Sequence, residues 1–287
     1  MFKKSRLLVT GLLGLSMFFT GCGANEKENA KDVLKSASAK MSEAESYEMN
    51  MTMSMNIAQG EENLNMDMET AAKCVLKPEL ALQMDSAIDM TIAGESQNIT
   101  MQQYVVKEDS QYTLYTGTMG IWGKTPMAGL EEAEAMLQDP NASLEKYLET
   151  IEDISFSGEK TVNGIDCKEI KVNLTKEYFN EVLDNADMLN TMGMDETSLN
   201  TTLDAINGVE NLPVYYYVGK NSGELVGCNM DMSDLMKKVV LATTGESEDS
   251  VSELKVVMDM TFGNMNGVSE ITLPEEAKSA VEMNLPQ

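Results

Sequence analysis

The chain has 287 residues, with 21 lysines and arginines against 47 aspartates and glutamates, and it contains no histidine. Without imidazole, serine–histidine and cysteine–histidine nucleophilic pairs are excluded, and so are imidazole-ligated metal centres. The formal net charge of -26 makes nucleic acid and anionic lipid headgroups poor partners, because both are negatively charged.

The N-terminal segment has the composition of an export signal. Three basic residues precede an apolar run of about 13 residues, Leu7 to Phe19. A membrane-spanning helix needs about 20 apolar residues, so this run is too short to be one. It ends in Gly21-Cys22, which resembles the bacterial lipobox, where a small residue precedes a diacylated cysteine. Residues 1–21 are therefore predicted to be a lipoprotein signal peptide, with a plain secretory signal as the alternative.

The segment after Cys22 is predicted to connect a lipid anchor to one folded domain. Residues 22–31 are polar, which is typical of a flexible tether. From Lys31 to about Tyr47, apolar residues recur at helical spacing and predict the first helix. No low-complexity linker divides the remaining chain, so residues 32–287 are predicted to form a single domain.

Strict alternation follows the first helix. Residues 47–57 switch between apolar and polar side chains, with a methionine at every second position from Met49 to Met55. This pattern predicts a β-strand with one buried face, because successive side chains of a strand point to opposite faces. The alternation continues on even-numbered positions through residues 64–92 and returns over residues 254–262.

The other predicted elements complete an α+β pattern. Strands are predicted over residues 99–107, 111–116, 118–124, 154–158, 167–174, 214–218, 225–232 and 268–273. Helices are predicted over residues 127–137, 143–151, 175–189, 197–206 and 234–241, with a terminal helical turn after Pro274. Ten or eleven strands, mostly joined as hairpins, predict an α+β fold with one large antiparallel sheet that has a single apolar face.

The chain contains 25 methionines, and many of them fall on this predicted apolar face. One interpretation is a packed core; another is a cavity for a lipid or other apolar ligand, because methionine adapts to variable apolar shapes. A third is copper(I), a soft ion that thioethers bind; the spread of methionine through many strands argues against such a local site. The candidate ligand-binding residues are Met49, Met51, Met53, Met55, Met66, Met68, Leu82, Met84, Met230, Met258 and Met260.

Cysteines and carboxylates give weaker signals. Cys167 and Cys228 each lie early in a predicted strand and are predicted to form a disulfide if those strands are neighbours. Cys74 occupies an even-numbered position, as do Leu76 and Leu82, and is predicted to be a buried thiol. No pair of carboxylates stands out as catalytic, so no enzyme activity, cofactor or metal is predicted; an enzyme would need converging carboxylates or lysines in a cleft.

The whole arrangement resembles lipoproteins of Gram-positive bacteria related to the LolA, LolB and LppX/LprG superfamily. The resemblance rests on the lipobox, the helix before a Tyr47-led strand, and a meander that contains Tyr104, Tyr112, Tyr115 and Trp122. The terminal Ile271-Thr272-Leu273-Pro274 also fits. The resemblance implies a strongly curved half-barrel sheet that wraps a few helices around an apolar hollow for acyl chains. It supplies no catalytic residue, and only Cys22 is carried over from it.

These observations lead to one functional prediction and one alternative. The prediction is an extracytoplasmic lipoprotein, a monomer anchored to a Gram-positive cell membrane through Cys22, that binds an acyl chain in a methionine-rich cavity. LolA-type carriers close their cavity with an arginine, whereas the only arginine here is Arg6 in the predicted signal. The alternative is a non-enzymatic structural module that binds another envelope protein through its sheet edge or acidic surface.

Overall fold

The computed structural model describes residues 29–59, 62–92, 94–127, 148, 151, 153–174, 212–244 and 251–282. The predicted signal peptide, Cys22 and most of the tether therefore lie outside the described residues. The same holds for almost all of the helices predicted over residues 127–137, 143–151, 175–189 and 197–206.

The first helix, α1, covers Ala30–Glu43. Its N-terminus is capped by Asn29, whose side-chain oxygen accepts a hydrogen bond from the backbone N–H of Lys31 at 3.0 Å. Asp32 in the first turn and Lys40 in the last turn both complement the helix dipole. Leu34 and Ala37 lie one turn apart and are buried, so one stripe of α1 faces the core.

Removal of the Asn29 cap tests how far α1 depends on it. The Asn29→Ala variant is expected to lose about 1 kcal/mol of unfolding free energy, because a helix N–H loses its acceptor. Asn29→Asp keeps an acceptor at the same place and is expected to unfold at the wild-type urea concentration. Urea titration followed by circular dichroism measures both; equal stability of the two variants would show that the cap contributes nothing.

Most of the described chain forms a twelve-stranded sheet with the order β12-β6-β5-β4-β3-β2-β1-β11-β10-β9-β8-β7. All neighbouring strands are antiparallel except β12, which pairs in parallel with β6. The strands are β1 Ser46–Gln59, β2 Glu62–Val75, β3 Ala81–Ile92, β4 Glu95–Glu108, β5 Gln111–Thr118, β6 Ile121–Met127, β7 Ile154–Val162, β8 Ile165–Leu174, β9 Leu212–Gly219, β10 Leu225–Asp231, β11 Val251–Gly263 and β12 Val281–Glu282.

The predicted fold class is confirmed, since one large antiparallel sheet with helices makes an α+β protein. The helix predicted over 234–241 is α2, Ser233–Thr244. The predicted terminal helical turn is a 3-10 helix, Glu275–Ser279. The strand predicted over residues 268–273 is wrong: this segment has no regular structure, and the two-residue strand β12 adds to the sheet further on.

Two buried clusters lie on the apolar face of the sheet. In the first, Leu34 and Ala37 of α1 pack with Ile170, Val214 and Cys228 from three neighbouring strands. In the second, Leu76, Leu80, Val105 and Tyr112 pack together on the same face, towards strands β4 and β5. The apolar alternation predicted from the sequence therefore buries its side chains where a helix or a connection covers them.

The opposite face of the sheet is also partly covered. Tyr104 and Tyr115 pack there against Ala277 of the 3-10 helix, together with Trp122 and Leu273. Cys167, Tyr217 and Val226 form a further small cluster on this side. The expectation of a sheet with a single apolar face is therefore too simple, because parts of both faces are buried.

Candidate functional site

The pairing of the strands places all the predicted ligand-binding residues on one face of the sheet. Met53 of β1 lies directly opposite Met68 of β2 and Met258 of β11. Met258 in turn lies opposite Met230 of β10. Directly paired residues of a sheet share a face, so the register extends this relation from strand to strand. We call this side the methionine face; it carries Met49, Met51, Met53, Met55, Met66, Met68, Leu82, Met84, Met230, Met258 and Met260.

The structure divides these residues into two groups. Met230 and Met260 pack against the cluster under α1, and Leu82 packs against the second buried cluster. These three side chains contribute to the packed core of the described residues. The others are half-buried and belong to neither cluster; they are Met49, Met51, Met53, Met55, Met66, Met68, Met84 and Met258. They form an apolar strip between the two cores.

Four further apolar residues extend this strip and were not among the predicted site residues. Ile88 and Met90 of β3 lie opposite Met68 and Met66. Ile99 of β4 lies opposite Ile88, and Met101 lies opposite Ser86. The even-numbered alternation of β3 is visible in the sequence and indicates the first two. Ile99 and Met101 occupy odd positions, and only the strand register shows that they share this face.

One polar pair interrupts the methionine face. The hydroxyl oxygens of Thr70 and Ser86 are 2.9 Å apart across β2 and β3, and Thr70 is buried. Each hydroxyl satisfies the other, so the pair adds little polarity to the apolar strip. In the described strands β1 and β2, no lysine lies on the methionine face. Lys73 of β2 points to the opposite face because side chains alternate along the strand.

The disulfide predicted between Cys167 and Cys228 is wrong. β9 lies between β8, which holds Cys167, and β10, which holds Cys228. The two side chains also point to opposite faces, and Cys74, Cys167 and Cys228 are free thiols. Burial raises the pKa of the Cys228 thiol to about 11 and also raises the pKa of Cys74 and Cys167. All three thiols therefore stay protonated and unreactive at neutral pH.

A cavity of about 590 Å³ lies on the opposite side of the sheet, which we call the polar face. Two rows of side chains, each crossing neighbouring strands, border this trough. The first row is Asn50, Ala71, Asp85, Gln102, Gly117 and Trp122; the second is Thr52, Glu69, Ala87 and Thr100. The backbone of the residues between the two rows forms the floor, because their side chains point to the methionine face. The sequence prediction placed a cavity on the methionine face and missed this one.

Two observations limit what else the described residues offer. Within the described ranges, no three Cys, Asp or Glu side chains converge as a metal site would require. In the same part of the chain, no helix is both long and apolar enough to cross a bilayer.

Comparisons with known proteins give one family match. The model of a family described as "Family of unknown function (DUF6612)" matches residues 29–282. No curated protein matches the chain.

Two solved structures of mycobacterial proteins are similar to the chain. LprF from Mycobacterium bovis has a TM-score of 0.46 and 12% identity, covering 86% of this chain and 97% of its own. The Mycobacterium tuberculosis lipoprotein LppX has a TM-score of 0.45 and 9% identity, covering 85% of this chain and 98% of its own. Each comparison is a likeness and assigns this chain to no superfamily. At these values it carries no information about a ligand.

Proposed function

The chain belongs to the DUF6612 family of unknown function, and we propose that it is a membrane-anchored extracytoplasmic lipoprotein that binds an acyl chain on its methionine face. The family brings no activity with it, so the support for this proposal comes from the side chains of the chain itself. It describes a binding protein without catalysis, located in a Gram-positive cell envelope.

The observation that carries this proposal is the half-buried methionine strip between two packed cores. A fully packed core would bury these side chains, as it buries Leu34 and Ile170. Methionine fits flexible apolar guests because its side chain is unbranched and polarisable. Each CH₂ of an acyl chain that leaves water on this strip contributes about 0.8 kcal/mol, so a chain of ordinary length is held without a charged clamp.

Attachment through Cys22 places this binding face close to its ligand source. A diacylated cysteine inserts two chains into the bilayer, which is enough for stable anchoring. The tether of a few residues then confines the domain to the membrane surface, where lipids are abundant. The chain works as a monomer in this proposal, since one methionine face provides the whole site.

Native mass spectrometry of the lipidated protein, purified in mild detergent from its own membrane, tests the proposal. We expect a non-covalent adduct with the mass of a hydrocarbon-bearing lipid, which leaves when the collision energy rises while the covalent anchor stays. A spectrum that shows only the covalent lipid, in preparations where a known carrier keeps its cargo, would contradict the proposal. It would then favour a packed module that binds another envelope protein.

A further inference from the structure

We propose that the trough on the polar face is a second binding site, and that its ligand is a linear aliphatic polyamine. This inference is independent of lipid binding, because the trough and the methionine face lie on opposite sides of the same strands.

The shape of the trough fits an extended chain. It crosses the strands from β1 to β6, and adjacent strands lie about 4.8 Å apart, so its length is about 20 Å or more. The two rows that border it are two residues apart along each strand, about 7 Å. A single unbranched aliphatic chain fits this width, whereas a bulky globular ligand does not.

Small side chains create the hollow. Ala71, Ala87 and Gly117 stand on different strands, and only the register shows that all three line the trough. A Cβ atom added to Gly117 would lie 2.6 Å from the indole of Trp122, so glycine alone lets that ring lie against β5. The methyl groups and the indole give the trough an apolar lining for methylene segments.

One carboxylate in the trough is held in position by two amides. Gln83 donates a hydrogen bond to one oxygen of Asp85, and Gln102 donates to the other, each at 2.9 Å. Each carboxylate oxygen has a second lone pair, so Asp85 keeps acceptor capacity for a cation. Because the Asp85 carboxylate is already oriented, less conformational entropy is lost when an ammonium group binds it.

The charge of the lining favours an amine over other linear molecules. Glu69 lies diagonally across from Asp85, and diagonal neighbours on a sheet are about 7 to 8 Å apart, with their Cβ atoms somewhat closer. Ammonium groups joined by a short alkyl chain are spaced on that scale. The lining residues include no lysine or arginine; the next row holds Lys73, opposite Glu48, and Lys124, opposite Tyr115. Trp122 borders one end of the trough.

Trp122 also provides the readout, because it is the only tryptophan of the chain. Titration of the full lipidated protein with spermidine is expected to give a saturable change in Trp122 fluorescence that weakens as salt is added. Asp85→Asn keeps the shape but loses the charge, and it is expected to reduce the affinity about 10- to 100-fold, the range for a hydrogen bond to a charged group. Isothermal titration calorimetry checks the same affinities without the fluorophore.

The matched control is Asp89→Asn. Asp89 lies on the same strand and face but outside the trough, where Asn98 donates a hydrogen bond to it at 2.7 Å. Its replacement is expected to change spermidine affinity by less than about twofold. The proposal is overturned if no saturable signal appears, if Asp89→Asn weakens binding as much as Asp85→Asn, or if MgCl₂ at equal ionic strength gives the same response. The proposal would also be overturned if a neutral linear oligosaccharide bound the wild type and Asp85→Asn with the same affinity. None of these outcomes bears on lipid binding.

Discussion

The Cys22→Ser variant is expected to leave the membrane fraction almost completely. A single acyl chain binds a bilayer only marginally, with a constant of about 10⁴ M⁻¹, whereas two chains anchor a protein stably. Serine offers no thiol for the diacylglyceryl group, so both chains are lost together. Electrostatic attraction cannot replace them, because the net charge of the whole chain, -26, repels anionic headgroups.

Two measurements check this expectation. Fractionation of cells after a carbonate wash locates the protein, and intact mass spectrometry shows whether the two chains are attached. Cys74→Ser is the matched control, because Cys74 is a buried free thiol in β2 and its replacement leaves the anchor in place. Retention of Cys22→Ser in the membrane, at the level of the Cys74 variant, would show that something other than the lipobox cysteine holds the protein there.

Strand β1 was predictable from the sequence because its side chains alternate between apolar and polar. From Tyr47 to Ile57 each apolar residue is followed by a polar one, and β1 covers this whole segment. The hairpin of β4 and β5 was predicted from the polar residues of its turn, which separate two segments rich in strand-forming residues. The alternation therefore indicated most of the methionine face before any strand pairing was known, but it missed Ile99 and Met101.

Features that depend on register could not be predicted. Odd- and even-numbered residues can be assigned to opposite faces only within one strand. The sequence therefore does not say that Cys167 and Cys228 point to opposite faces. The order of the strands also had to be known, because β9 separates the two cysteines. The trough is hidden for the same reason: Ala71, Ala87 and Gly117 are ordinary small residues until the register places all three along the trough.

The segment after β11 shows a different limit of sequence reasoning. Residues 268–273 alternate like a strand, yet they carry Ile271 and Leu273 onto Tyr104 and Tyr115 without joining the sheet. Alternation reports that one side of an extended segment is apolar. It does not distinguish an extended segment that forms a ladder from one that packs on a sheet face.

The Met53→Asp variant is expected to lose at least about 100-fold in affinity for an acyl chain. Met53 lies between Met68 and Met258 on the methionine strip, so a carboxylate there would be desolvated by the bound hydrocarbon. Leaving a polar group without partners in an apolar environment costs about 2 to 7 kcal/mol, and 1.4 kcal/mol is a factor of ten in affinity. In the absence of ligand the same side chain is half-exposed, so the variant is expected to fold.

The matched control for Met53→Asp adds the same charge to the same strand on the other face. Asn56→Asp places a carboxylate beside Asn65, whose side-chain amide can donate a hydrogen bond to it. Displacement of a fluorescent fatty acid, with thermal melts to confirm folding, is expected to give wild-type affinity for Asn56→Asp and for Met53→Leu. Because leucine keeps the strip apolar, loss of binding in Met53→Asp alone would identify hydrophobic contact as the cause. Equal affinities for all three variants would mean that the acyl chain does not lie on the methionine face.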